Sequence, residues 1–349
     1  MFDHFNPPPA TDPGPLATLV DVTLRDGGFE VDFRWPDTQF ADVTAALAPV
    51  GVEIVELGYL GGVPLEHAVV APGIGAHLTP EHVATAQRDG VRLAAMVHPT
   101  ALANEIDLTA YTAAGLHMLR LVYHPHWLDD LAHLAHRARD HGLRVSVNIA
   151  LASRYDPDDL LAHAARIDRA TTPDVLYLAD TCGALLPDQV TDLITRLRAT
   201  VSADLGFHAH DFLSLAYANA LAAAAAGATY LDCSILGLGR SGGNLQAELV
   251  LVRHRLRDRP APSTALGELL ACRRSLAALA HRPVPSLVPL VCGALNLTPV
   301  EEHALAELAT AQRINPDAAA LWLASATSRV ASLRTDDLVP AWLTTTGRA

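Results

Sequence analysis

Leu19-Val20-Asp21-Val22-Thr23-Leu24, running straight into Arg25-Asp26-Gly27-Gly28, is an apolar, partly β-branched run that ends in a polar turn. No Gly-x-Gly-x-x-Gly follows it, so the Gly-rich first turn of an open, doubly wound sheet is missing. Working outward, comparable runs recur at Glu53 to Gly58, Arg92 to Val97, Met118 to Tyr123, Arg144 to Ile149, Val175 to Leu178, Asp204 to His208 and Tyr230 to Ile235. Between them lie stretches of helical period: Thr38 to Ala48, Pro80 to Arg88, Trp127 to His141, Pro157 to Arg169, Pro187 to Ala199 and Leu213 to Ala226. Pro157 with the two aspartates after it, and Pro187-Asp188, suit a helix start: proline has no N–H to leave unsatisfied there, and acids favour the positive end of the helix dipole. Eight strand–helix units in about 240 residues are what a closed (β/α)8 TIM barrel requires.

Pro7-Pro8-Pro9 and Pro13-Gly14-Pro15 neither pair in a sheet nor propagate a helix, which predicts a flexible arm at the N-terminus. Past the eighth strand the pattern changes. Ala265 to Ala280, Pro299 to Arg313 and Pro316 to Ser332 read as helices around a Pro-punctuated stretch, His281 to Pro289. The expected organisation is an arm over 1–18, a TIM-barrel catalytic domain over 19–260, a C-terminal helical extension over 261–334 and a tail over 335–349.

All 25 cationic side chains are arginine; the chain has no lysine. That excludes a lysine Schiff base with a carbonyl substrate and the Gly-Lys-Ser/Thr phosphate loop. A net charge of -13 offers no footprint for nucleic acid. No apolar run approaches the ~20 residues that span a bilayer. The four cysteines lack CxxC spacing, and Met1 to Pro15 lacks the apolar stretch of a secretory signal, so a cytoplasmic protein with reduced thiols is expected.

In such a barrel the chemistry sits at the C-terminal ends of the strands. The first strand leaves through Arg25 and Asp26, the second through Glu56 and Tyr59, and the seventh through His208-Ala209-His210-Asp211. Histidines two apart on a strand point to one side, where both imidazoles can meet one cation; the spacing also fits a pair of surface histidines in a chain that has 17. Asp26 adds a hard oxygen suited to Mg²⁺ or Mn²⁺, and Asn244, which closes the loop Gly237-Leu238-Gly239-Arg240-Ser241-Gly242-Gly243, offers another. That loop can bind a carboxylate or phosphate through backbone N–H groups such as that of Gly239, with Arg240 as a clamp; simple turn chemistry fits it equally. Asp180 and Cys182 suggest a turn closure or a contact behind a ligand histidine, not a cysteine nucleophile.

Thr23-Leu24-Arg25-Asp26-Gly27, Asp180-Thr181-Cys182-Gly183, His208-Ala209-His210 and the Gly-rich loop with Asn244 and Glu248 occur in the order of the DRE-TIM metallolyases, which the chain resembles from about Leu19 to Ser332. Within them it is most similar to the 4-hydroxy-2-oxovalerate aldolase (HMGL-like) branch, through Ala209 to Asn219 and the region after Arg282-Pro283-Val284. The resemblance implies a metal-dependent, class II aldolase. Asp26, His208 and His210, with Asn244, would hold a divalent cation (Mn²⁺ or Mg²⁺), and Arg25 would face a 2-oxo acid that is joined to, or cleaved from, an aldehyde. Gly28 departs from the glutamate of the isopropylmalate-synthase branch, and no cysteine in 237–243 matches the hydroxymethylglutaryl-CoA lyase branch. Two further departures concern proton transfer. Phe29 occupies the position of the branch's histidine, and Gly293 to Leu297 holds no tyrosine. Replacement bases at strand exits are Tyr59, His98, His124 and His126, His124 being preferred because it follows its strand immediately; a metal-bound water would also serve. The resemblance also permits a homo-oligomer or an aldehyde dehydrogenase partner. A Claisen-type condensation of an acyl thioester, and a degenerate barrel serving as a partner subunit, are the alternatives.

Overall fold

The computed structural model describes residues 17–63, 73–101, 106–256, 260–326 and 335–346. The arm expected over 1–18 falls outside them except for its last two residues, and Thr18 already opens the first strand. Strands β1 (Thr18–Asp21), β2 (Ile54–Leu60), β3 (Arg92–Val97), β4 (Leu116–Val122), β5 (Arg144–Ile149), β6 (Val175–Asp180), β7 (Asp204–Ala209) and β8 (Tyr230–Cys233) pair in parallel in sequence order, and β8 returns to β1. The TIM barrel read from the sequence is the fold, with the Arg92 and Arg144 strands at their expected bounds. A helix at Leu108–Ala113 lies before β4 where none is expected; it is only six residues long, too short for its period to register.

The barrel interior is layered, because alternate residues of each strand point inward. Val20, Ile54, Ala94, Met118, Val175 and Tyr230 fill the lower part as one buried apolar cluster. Two residues further along, β2, β4 and β8 place Glu56, Arg120 and Asp232, all buried. Close to the mouth come Met96, Val122, Ala179 and His208. Gly206 belongs to this packing: a Cβ there would lie 2.6 Å from the Tyr177 ring.

By its internal contacts the chain forms two compact units, and residues 17–44 and 52–247 make up the barrel unit. The second unit takes 45–51 and the described residues from 248 onward. It contains Ser263–Leu279, Val288–Leu295, Pro299–Ala311, Pro316–Ala326 and Thr335–Thr346, so a helix occupies most of the expected tail. Val288–Leu295 is also a helix beyond the sequence reading, begun by Pro289 within its first turn. Glu248, the last residue of the Gly-loop motif, lies in this unit and accepts a hydrogen bond from buried Arg273 at 2.6 Å. Among the described residues no helix is long and apolar enough to cross a membrane.

Candidate metal centre

The turn after β1 brings Asp26 over the barrel mouth; its N–H bonds back to the Val22 carbonyl at 2.7 Å. Gly28 in this turn has a packing reason, since a Cβ there would lie 2.3 Å from the Phe33 ring. His208 on β7 and His210 just past it both face inward. Their Nε2 atoms lie 3.3 Å apart, and His210 Nε2 is 3.8 Å from Asp26 Oδ2. One ligand atom from each of the three residues falls within 4.8 Å of the others, and all three residues are buried. Asp26 Oδ2 and Asn244 Oδ1 are buried without a hydrogen-bond partner. A bare carboxylate oxygen beside two converging imidazole nitrogens is costly unless something positive joins them, and two nitrogens plus hard oxygens suit a divalent cation.

Electrostatics favour the deprotonated ligands. Burial alone would raise the Asp26 carboxyl, but Arg25 and the two histidines outweigh it and hold it well below the usual carboxylate range. Burial, then the neighbouring His208, pushes His210 down to about 4, so its imidazole is neutral and free to ligate near neutral pH.

A buried run of charged side chains holds this centre from behind. Arg25 donates from Nη1 to Asp26 Oδ1 at 2.6 Å and from Nε to Glu56 Oε2 at 2.8 Å. Glu56 Oε2 also accepts from Arg120 Nη1 at 3.0 Å, and Arg120 Nη2 reaches Asp232 Oδ2 at 2.7 Å. Asp232 Oδ2 in turn accepts from His208 Nδ1 at 2.9 Å. That last bond fixes the tautomer, leaving the Nε2 lone pair turned to the other ligands. The run therefore links one proposed ligand, Asp26, to another, His208. Sequence reasoning missed Arg120 and Asp232 and counted Glu56 only as a polar exit. The available signal is a charge at an inward position of an otherwise apolar strand, as in Met118-Leu119-Arg120-Leu121-Val122.

In front of the centre lies a cavity of about 690 Å³ lined by Arg25, Asp26, His208 and His210 together with Tyr59, His98, Arg240 and the ring of Phe29. Arg25, expected either to face substrate or to form an ion pair, forms ion pairs with Asp26 and Glu56 and also lines this cavity. Burial, ahead of the nearby charges, lifts the Tyr59 hydroxyl to about 12, so it stays a proton donor. His98 Nδ1 lies 2.8 Å from the Thr100 hydroxyl, and burial, then Arg240, holds its imidazole below the usual histidine range. Arg240 stacks its guanidinium 4.1 Å from the Phe29 ring centroid.

Other expected residues lie elsewhere. His124, the preferred base, is exposed and not among the lining residues: it caps the turn Pro125–Trp127, its Nδ1 accepting from the His126 N–H at 3.3 Å. The Pro125 that follows it turns the chain away, and adjacency to the strand end was not enough. His126 is exposed on the same turn. The Gly239 N–H is taken by Glu30 Oε1 at 2.9 Å, so the loop's anion is an internal carboxylate instead of a substrate. Gly239 is required for packing, since a Cβ would lie 2.4 Å from the Asn244 amide. Asp180 closes its own turn, accepting from the Ala184 and Leu185 N–H groups.

The HMGL-like family model matches residues 17–274. The chain belongs to the HMGL-like family. The 4-hydroxy-2-oxovalerate aldolase 2 of Nocardia farcinica is 35% identical over 240 residues, 68% of this chain and 68% of its own. An oxaloacetate decarboxylase of Mycobacterium tuberculosis is 32% identical over 235 residues, 67% of this chain and 68% of its own. Among solved structures, the HMG-CoA lyase of Bacillus subtilis shares the fold with a TM-score of 0.61 at 20% identity, over 78% of this chain and 96% of that one. As an HMGL-like protein the chain is an enzyme of the aldolase and lyase class, as its motifs led one to expect.

Proposed function

We propose that the chain makes or breaks a carbon–carbon bond next to a 2-oxo acid at this centre, in the sense 4-hydroxy-2-oxo acid to 2-oxo acid plus aldehyde, with Mn²⁺ or Mg²⁺ held by Asp26, His208 and His210 and flanked by Asn244. The observation that carries this is the convergence of those three buried ligands beside Arg25 in a cavity open to small molecules. Bound there, a divalent cation supplies the Lewis acidity that a chain without lysine cannot obtain from a Schiff base. Arg25, held rigidly by Glu56 and Asp26, presents a permanent positive charge to the oxygen on which charge develops as the bond breaks. Tyr59, protonated in the resting site, is placed to give its proton to the enolate carbon and to be reprotonated, in net terms, by the proton lost from the 4-hydroxyl, while Arg240 stands beside the cavity as a cation for any second anionic group. Metal analysis of the protein and of His208→Ala, followed by Mn²⁺-dependent pyruvate release from a set of 4-hydroxy-2-oxo acids, tests the proposal. Equal metal in both proteins, or no pyruvate from any substrate, defeats it.

One observation favours a second reading. Retro-aldol cleavage needs an acceptor for the 4-hydroxyl proton, whereas loss of CO₂ from a 2-oxo acid with a 4-carboxylate needs only an electron sink and a proton donor. Phe29 offers no acceptor, and Tyr59 presents O–H. Decarboxylation of an oxaloacetate-type diacid therefore suits these groups without any base. Comparing CO₂ with aldehyde release from matched substrates separates the two readings.

A further inference from the structure

We infer that the substrate fragment remote from the 2-oxo carboxylate is an alkyl or aryl group larger than methyl, seated on an apolar wall built by β2, β3 and β4; the inference rests on the carbon–carbon lyase reading above. In the closed order β1 to β8, β3 and β4 stand across the mouth from β7 and β8. The ligands come from the β1 and β7 exits. Met96 and Val122 line the cavity from those facing strands, joined by Tyr59 of β2, Val63 and Phe29. These side chains form one surface: Tyr59, Val63 and Met96 belong to a single buried cluster with Phe33, against which Phe29 and Val122 pack. Phe29 meets Phe33 and Tyr59 edge-on, with ring centroids 4.9 and 6.3 Å away, and Arg240 stacks on it. The wall is thus held in place before any substrate arrives.

Between the two sides, β6 and the exit of β5 present Ala179 and Ala150, which end at Cβ, beside the polar side chains of Asn148 and Thr181. A cavity of about 690 Å³ has room for roughly twenty waters, several times what a pyruvate unit carrying a methyl-sized group displaces. A substrate anchored at the polar side therefore extends toward the wall. Each methylene that wall removes from water should tighten binding about three- to fourfold.

The test has two arms. Calorimetric titration of the Mn²⁺-loaded protein with straight-chain 2-oxo acids from pyruvate to 2-oxooctanoate is expected to show affinity climbing about three- to fourfold per methylene over the first additions. In Val122→Asn the slope should fall below twofold relative to pyruvate in the same protein; a folding defect weakens all members alike and cannot imitate this. A flat series, or pyruvate binding tightest, overturns the wall. The second arm measures pyruvate release from 4-hydroxy-2-oxo acids bearing 4-methyl, 4-pentyl or 4-phenyl groups, with kcat/KM expected at least tenfold higher for the larger two. Rising affinity with no release from any substrate defeats the lyase reading and leaves the wall standing. Release with methyl preferred and a flat binding series does the reverse.

Discussion

Asp232→Asn is the sharpest probe of the buried run, because it keeps the shape and one accepting oxygen but removes the charge. Asp232 Oδ2 accepts from Arg120 at 2.7 Å and from His208 at 2.9 Å, with about 1% of the side chain exposed. Hydrogen bonds to a buried ion contribute about 1.5–3 kcal/mol each, and the neutral counterpart roughly half, so folding stability should fall by about 2–3 kcal/mol. The functional cost is separate. With a neutral partner, His208 is less firmly held with its proton on Nδ1 and is a poorer donor at Nε2, and loss of such an outer partner weakens metal binding about 10- to 100-fold. That corresponds to about 1.4–2.7 kcal/mol. Titration of metal-free protein with Mn²⁺, alongside urea unfolding, reads both quantities. If Asp232→Asn binds Mn²⁺ within twofold of the parent while His208→Ala does not, the bond from His208 to Asp232 does not position the ligand and the reasoning fails.

Removing metal with EDTA should lower the melting temperature by several degrees relative to protein with Mn²⁺ at about 100 times its Kd, where binding adds about 2.7 kcal/mol; an unchanged melting curve would count against a site of this kind. Arg25→Lys is expected to lower kcat about 10²- to 10³-fold, because one ammonium cannot span Asp26 and Glu56 as the guanidinium does, and near-parental kcat would remove Arg25 from the chemistry. Phe29→His puts an acceptor into the cavity, so aldehyde release should rise relative to CO₂ release; a constant ratio in a product assay would show that the proton leaves by another route. For metal-free protein, His210 gives a signed pH dependence: burial and His208 hold it at about 4, below the 6.5 of an unfolded histidine. The unfolded chain therefore binds the extra proton, and stability present above about pH 6.5 should decline by an amount on the order of 2–3 kcal/mol as pH falls toward 4. Urea unfolding between those values checks it, and His210→Gln should flatten the slope.

Legibility followed the range of the interaction. The β-branched runs and helix starts are local, so the barrel could be counted out from Leu19, and strand-exit chemistry singled out Arg25, Asp26, His208 and His210, which the fold brings together at one cavity. What the sequence hid depends on distant partners. Arg120 is one cation among 25 until its guanidinium is seen to reach across the barrel interior to Glu56 on β2 and Asp232 on β8. His124 shows the converse: it stands where a base is expected, yet the turn at Pro125 makes it a cap. Gly239 suggested an anion site, and the anion proved to be Glu30, separated from it by 209 residues of sequence.

The buried run calls for an explanation other than stability. Removing ions from water costs several kcal/mol apiece, and well-packed apolar side chains would commonly hold the barrel as well. Counted together, Asp26, Glu56 and Asp232 against Arg25 and Arg120 leave one negative charge in a nearly dry layer. A dication changes that to one positive charge, and a singly charged 2-oxo acid then brings the layer to neutrality. The same count disfavours a diacid at the centre unless an outside cation takes its second carboxylate, and Arg240 at the cavity edge is placed for that. Whether the substrate carries one carboxylate or two is therefore decided at Arg240. Arg240→Met should cost a decarboxylating enzyme about 100-fold in kcat/KM through KM, whereas an aldolase of apolar 4-substituted substrates should lose less than tenfold. A loss confined to diacids would favour the base-free reaction; equal small losses would favour aldol cleavage on the apolar wall.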